Sequence, residues 1–169
     1  IYKMQVKAIF EAGQNIERQT GIKPNIEVLI PLVSTEGELK SIKSKLNTQI
    51  ETITAKADYK PQYKLGTMME VPRAALIADK LAPEVDYFSF GSNDLTQTCF
   101  GISRDDSSSF LLEYIDKGII QNDPFQTLDR DGVGELIRIA TNKGRSANKR
   151  LKLGICGEHG GDPDSIEFC

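Results

Sequence analysis

No run of about 18 uninterrupted apolar residues occurs, so the chain carries no recognisable membrane-spanning helix. Its most apolar stretches, such as 28–33, have only the length of a strand. Cysteine is scarce, and Cys99, Cys156 and Cys169 are too irregularly spaced for a disulfide framework or a CxxC zinc site. A reducing compartment is the simpler setting: the cytoplasm, with an organelle such as a plastid or glycosome also compatible. Histidine occurs once, at His159, which argues against a histidine-rich metal site and leaves no protease-like triad. Basic charge is not in excess, since 21 Lys+Arg against 24 Asp+Glu leave −3. Broad nucleic-acid binding needs a concentrated basic face, so that class drops out. Neither GxGxxG nor GxxxxGK[ST] is present.

What is present is an ordinary globular composition, 39% hydrophobic and 27% charged, with the apolar residues in patterned runs. A length of 169 residues suggests one domain with a sizeable core. The chain opens on Ile1 and stops at Cys169 within an apparent helix, which hints at a piece of something longer.

Strand-like and helix-like segments alternate, the pattern of an α/β architecture. Residues 1–19 read as a helix on Met4, Ala8, Ile9 and Ala12, ended by Gly21 and Pro24. A short buried strand follows over 26–32, closed by Pro31. Thr35 with Glu38 three residues on is a capping box, and Leu39, Ile42, Leu46, Ile50 and Ile53 keep the helical period through 35–56. Residues 58–62 read as a loop, 63–71 as a strand, and Pro72 as the first residue of a compact helix through Ala74, Ala75, Leu76, Ile77, Ala78 and Leu81, ended by Pro83. A strand over 85–90 runs into Gly91-Ser92-Asn93-Asp94. Helices are expected over 107–117 and 131–148, with Gly118 and Gly144 as breaks or bends. A strand over 151–156, a glycine-rich loop over 157–161 and a helix from Pro163 complete the pass.

Continuous apolar strands in repeated β-α units predict parallel strands buried on both faces. An open doubly wound sheet and a closed (β/α)8 barrel both fit, and both carry their chemistry at the carboxyl ends of the strands. Three successive strands end in polar or reactive clusters: Gly66 to Arg73, Ser89 to Gln97, and Gly154 to Gly161.

Glu70 and Asp94 lie one β-α-β unit apart, and adjacent strands sit roughly 4.8 Å apart, so both carboxylates can reach one cation. Mg²⁺ suits such a pair, completing its shell with water and substrate oxygens; the competing reading makes each carboxylate a helix cap. Asn93 is placed to donate to a developing oxyanion, and the amides of Gly91 and Ser92 to a carboxylate; the competing reading is a self-satisfied glycine turn. Cys156, between Gly154 and Gly157, is either an acid/base near a cation or a small buried hydrophobe. Cys99 reads as core, and Cys169 has no assigned role. His159 reads as a hydrogen-bonding residue in a mobile glycine loop behind the site. Arg73, Arg104 and Arg145 rank low as anion binders, because surface arginines are common.

The segments MQVKAIFEA, IPLVSTEGEL, GTMMEVPRAALIADKLA, FSFGSNDLTQ, QNDPFQTLDRDGVGELI and LKLGICGEHGGDP together resemble the phosphoenolpyruvate-utilising enzymes over essentially the whole chain. The NDPF and CGEHGG segments favour the dikinase branch over phosphoenolpyruvate synthase and enzyme I of the sugar phosphotransferase system.

The resemblance implies the pyruvate/phosphoenolpyruvate-binding domain over 1–169, a partial (β/α)8 TIM barrel holding about the fourth to seventh strands. It implies Mg²⁺ on Glu70 and Asp94, substrate contacts from Glu70, Gly91, Ser92, Asn93 and Asp94, and Cys156 as proton donor and acceptor at the methylene carbon. Members often carry Thr where this chain has Ser92, a change that a backbone contact survives. The implied activity is a phosphotransferase with paired acceptors, which exchanges a phosphoryl group between phosphohistidine and pyruvate. The whole enzyme interconverts ATP, pyruvate and phosphate with AMP, phosphoenolpyruvate and pyrophosphate. Nucleotide-binding and swivelling phosphohistidine domains have no counterpart in these residues, and His159 does not match the phosphohistidine motif. The phosphoryl-holding arginines are expected before residue 1 and the last strand beyond Cys169, so the piece alone is expected to be inactive. A homodimer formed through the barrel is also implied. From other classes, a Mg²⁺-dependent aldolase or lyase barrel and a non-catalytic dimerisation module remain alternatives.

Overall fold

The computed structural model describes residues 1–55, 60–107 and 109–169. Helix α1 (Tyr2–Thr20) leads into strand β1 (Ile26–Ile30), and α2 (Glu36–Thr54) into β2 (Tyr63–Met69). Two short helices, α3 (Pro72–Leu76) and α4 (Ala78–Leu81), precede β3 (Tyr87–Gly91). Helices α5 (Ser92–Phe100), α6 (Arg104–Ser107), α7 (Leu111–Asp116) and α8 (Val133–Ala147) separate β3 from β4 (Lys152–Cys156), and α9 (Pro163–Phe168) closes the chain. Short 3₁₀ turns lie at Ala82–Glu84 and Glu158–Gly161.

The strands form one parallel sheet in the order β1-β2-β3-β4. That order is the order of the sequence, so the described sheet has no point at which the strand order reverses. Period-two alternation decides what each face does. Ile26, Val28 and Ile30, then Leu65, Thr67 and Met69, then Phe88 and Phe90 point into a core shared with Phe10, Leu39, Leu46, Leu81, Val133 and Ile137. The intervening residues Glu27, Leu29, Lys64, Met68, Tyr87, Ser89, Lys152 and Cys156 are half-buried or exposed. The expectation of strands buried on both faces is therefore corrected: among the described residues the helical layer covers one face.

Helix α2 follows its sequence signals. Thr35 Oγ1 accepts the Glu38 amide at 3.1 Å, while the Glu38 carboxylate returns to the Ser34 amide at 2.9 Å, one residue further out than the standard box. Leu39, Leu46 and Ile50 are buried on one stripe.

Other expectations need revision. Helix α1 exists, but it buries Val6, Phe10 and Gly13, leaving Met4, Ala8, Ile9 and Ala12 exposed. Its rotation is set by contacts: Gly13 sits so close to β1 that a Cβ there lies 3.0 Å from Ile26 Cδ1, and Phe10 stacks edge-on to Tyr63 at 5.4 Å. The helix expected from Pro72 to Leu81 is broken at Ile77 (φ −114°, ψ 22°). The span 107–117 resolves into α6 and α7 rather than one helix. Gly144 does not bend α8; it lets the helix approach the sheet, where a Cβ meets Leu151 at 2.7 Å and Phe88 at 2.8 Å. Gly118 does break the chain, at φ +67°. Of the 58–62 loop, residues 58 and 59 lie outside the described residues, and 60–62 have no regular structure.

Candidate functional site

Because β2, β3 and β4 are parallel neighbours, their three polar carboxyl ends come together along one edge of the sheet. Each contributes a different chemistry.

Glu70 follows β2 and is 3% exposed. Its Oε1 accepts the Leu32 amide at 2.5 Å, from the loop after β1. Leu32 sits at φ +53°, a conformation uncommon outside glycine, so that loop is held in a specific shape to offer the amide. Burial pushes the Glu70 carboxyl above the usual carboxylate range, the Leu32 amide partly offsets this, and the nearby Asp94 carboxylate raises it again. Asp94, in the first turn of α5, is exposed, and its Oδ1 accepts Gln97 Nε2 at 3.1 Å. Neither carboxylate caps a helix: the N-cap residues of α3 and α5 are Val71 and Gly91, with no side-chain cap. Among the described residues, neither carboxylate forms a salt bridge. The structure thus brings a buried and an exposed carboxylate close enough to act on each other, and among the described residues neither is paired with a cationic side chain.

Gly91-Ser92-Asn93-Asp94 is not a free turn, since α5 starts at Ser92. A Cβ at Gly91 lies 2.8 Å from Glu70 Cβ and Oε2 and 2.9 Å from Met68 Sδ, so this glycine is what leaves room for the Glu70 side chain. Ser92 is fully buried and donates to the Cys156 carbonyl at 2.8 Å. Asn93 Oδ1 accepts the Glu158 amide at 3.2 Å.

Cys156 stands opposite Gly91 in the β3–β4 register and is half-buried rather than core. Its sulfur accepts from Ser89 Oγ at 3.3 Å and donates to the Phe90 carbonyl at 3.5 Å. The next residue, Gly157, has φ +102° and ψ −177°, a region open essentially to glycine alone. A Cβ there meets Ser92 Oγ at 2.6 Å, so the chain turns sharply against the first turn of α5.

His159 is 0% exposed and lies in a 3₁₀ turn, not in a mobile loop. Its Nδ1 is 2.8 Å from Ser92 Oγ and its Nε2 2.9 Å from the Pro124 carbonyl. Cys99 is exposed, contrary to its core assignment, although it follows the buried Leu95 by one turn of α5. Arg73 donates to the Ser34 carbonyl, and Arg104 pairs with Glu158 at 2.9 Å. Arg145 lies in the last turn of α8, which leads into the start of β4 and not into its carboxyl end.

Residue patterns missed two participants. Ser89 was findable: it is two residues before Gly91 and so shares its face. The Leu32 amide was not, because backbone donors leave no trace in side-chain identity.

Comparison with known proteins adds the following. Residues 1–169 match the family described as "PEP-utilising enzyme, PEP-binding domain". "Pyruvate, phosphate dikinase" of Rickettsia felis is 54% identical over 168 residues, covering 99% of this chain and 19% of that protein. The protein of the same name from Rhizobium meliloti is 52% identical over 169 residues, 100% of this chain and 19% of its own length. "Pyruvate, phosphate dikinase, chloroplastic" of Mesembryanthemum crystallinum is 51% identical over 166 residues, with 98% and 17% covered. The chain spans about a fifth of the length of the curated relatives it matches.

Proposed function

The chain belongs to the PEP-utilising enzymes, as their PEP-binding domain, and from that premise we propose that it supplies the pyruvate/phosphoenolpyruvate half-site of a pyruvate, phosphate dikinase. The observation that carries this reading is the convergence of Glu70, Asp94 and Cys156 on three adjacent parallel strand ends. The architecture proposed for it is part of a (β/α)8 barrel, about its fourth to seventh strands. Sequential strand order and the one-sided helical layer favour that over a doubly wound sheet. The relatives' names favour the dikinase over its synthase and phosphotransferase-system cousins.

Glu70 and Asp94 fit Mg²⁺. They form a carboxylate pair without a salt-bridge partner among the described residues, one member anchored by a backbone amide, and hard carboxylate oxygens are the donors Mg²⁺ takes. When bound, Mg²⁺ supplies a Lewis acid for the pyruvate carboxylate and keto oxygens. The Cys156 thiolate takes a proton from the pyruvate methyl group, and the thiol returns it in the reverse direction. Asn93 donates to the oxygen that gains charge. The enolate oxygen then attacks the phosphorus of a phosphohistidine delivered by a swivelling domain, and the histidine nitrogen leaves. A homodimer and a reducing compartment, cytoplasm or plastid, belong to the same reading. Among the described residues no helix is long and apolar enough to cross a membrane.

Oxalate, an enolpyruvate mimic, tests the site in the full-length protein. Binding is expected to require Mg²⁺ and to be lost in Glu70→Ala; equal binding without Mg²⁺ and in that variant overturns the metal assignment. Cys156→Ala is expected to bind oxalate but to lose solvent exchange of the pyruvate methyl protons. Unchanged exchange removes Cys156 from the chemistry.

A further inference from the structure

The one histidine of the chain sits at the centre of a buried hydrogen-bond chain that the proposed chemistry leaves unused. From one end it runs Pro124 carbonyl, His159 Nε2, His159 Nδ1, Ser92 Oγ, Cys156 carbonyl, with separations of 2.9, 2.8 and 2.8 Å outside the ring. His159 and Ser92 are both 0% exposed, so no solvent substitutes for a missing partner at either. The chain joins three segments distant in sequence: the loop before α8, the first turn of α5, and the end of β4.

The direction of these bonds follows from proton counting. Pro124 and Cys156 offer carbonyl oxygens, which only accept. Nε2 therefore carries a proton toward Pro124. Ser92 Oγ has one proton to give, and when Nδ1 donates to that oxygen the proton is left for the Cys156 carbonyl, so every contact in the run is satisfied. The Cys156 carbonyl is the last backbone group before the Gly157 turn at φ +102°, so what holds it also holds the strand end that presents the thiol.

We infer that His159 is a positioning residue for Cys156: through the Ser92 hydroxyl it locks the Cys156 carbonyl and so aims the thiol at the substrate carbon. The inference rests on the reading of Cys156 as the proton donor and acceptor. The same contacts place Pro124, and with it the loop before α8, under the influence of the strand end.

The test uses the full-length enzyme and the Mg²⁺-dependent exchange of pyruvate methyl protons. His159→Gln keeps a donor near the Nε2 position but cannot reach Ser92, whereas His159→Asn keeps a polar group at the Nδ1 position. A misaimed thiol costs about 10- to 100-fold in exchange rate. That loss is expected in His159→Gln, with the pyruvate KM and Mg²⁺–oxalate affinity unchanged, and also in Ser92→Ala. His159→Asn is expected to recover most of the rate. The double variant His159→Gln/Ser92→Ala is expected to be no worse than either single one, because the two groups act as one unit. Wild-type exchange in His159→Gln, or losses that multiply in the double variant, overturns the inference. Should His159→Gln fail to fold by thermal melting, Ser92→Ala carries the test alone, and wild-type exchange there overturns it equally. Failure of the underlying reading looks different: Cys156→Ala itself then exchanges at the wild-type rate.

Discussion

The two faces of the sheet are built to opposite specifications from the same strands. Phe88 and Phe90 of β3 are 0% and 4% exposed under the helices, while Ser89 between them is half-buried and bonded to the Cys156 sulfur. In β2, Leu65 and Met69 are core, and their neighbours Lys64 and Met68 are not. The covered face holds the fold by removing apolar surface from water, roughly 25 cal/mol for each Å². The open face mixes charged, polar and large side chains with glycines, Gly91 leaving space for Glu70 and Gly154 lying beside Ser89. A strand alternates by geometry, so one strand serves packing and chemistry without compromise between them.

Adjacent residues on opposite faces break this comparison most directly. Phe88→Ala removes a ring packed against α8 at Gly144 and is expected to cost about 3–5 kcal/mol in denaturant unfolding. Ser89→Ala, one residue on, is expected to cost less than about 1 kcal/mol while lowering methyl-proton exchange. Equal destabilisation by the two would mean that the faces are not functionally separate.

Gly91→Ala sharpens the point, because it loads a methyl group onto the open face where Glu70 and Met68 already fill the space. Expected is a stability loss of about 1–3 kcal/mol together with weaker Mg²⁺-dependent oxalate binding, read by calorimetry. A loss of stability with binding intact would show that Glu70 relocates without consequence.

The smallest effect is expected on the outer surface of the helical layer, which belongs to neither face. Lys143 lies 3.2 Å from Asp79, and its hydrogen bond and charge hold the Asp79 carboxyl below the usual range. A lowered folded-state value means that this pair stabilises fully above the ordinary carboxylate pKa and loses its effect as pH falls through the lowered one. Both side chains are about half exposed, so Asp79→Asn is expected to cost at most about 0.5 kcal/mol at neutral pH, less in high salt and nothing at strongly acid pH. Urea titrations at two pH values check both the size and the sign.

Much of this protein was legible in one dimension because its causes are local. Thr35 and Glu38 are close in sequence, and their cap needs nothing from elsewhere. Parallel β-α units announce themselves by apolar runs, and polar residues at three successive strand ends mark where chemistry belongs. Other features depend on partners that sequence spacing does not reveal. The rotation of α1 follows from Phe10 meeting Tyr63 and Gly13 meeting Ile26, not from the most regular stripe of its own residues. The break at Ile77 and the start of α5 at Ser92 likewise answer to packing and not to propensity.

The site divides the same way. Sequence alone nominated the residues proposed to carry the chemistry, Glu70, Asn93, Asp94 and Cys156, because carboxylate, amide and thiol are side-chain identities. Tertiary structure decided how they are held: Glu70 by an amide 38 residues away, and the Cys156 strand end by Ser92, 64 residues away, which in turn meets His159 across 67 residues. The physical reason is that backbone donors, carbonyls and excluded water have no letter of their own. They acquire meaning only when folding brings them within hydrogen-bonding distance, away from solvent.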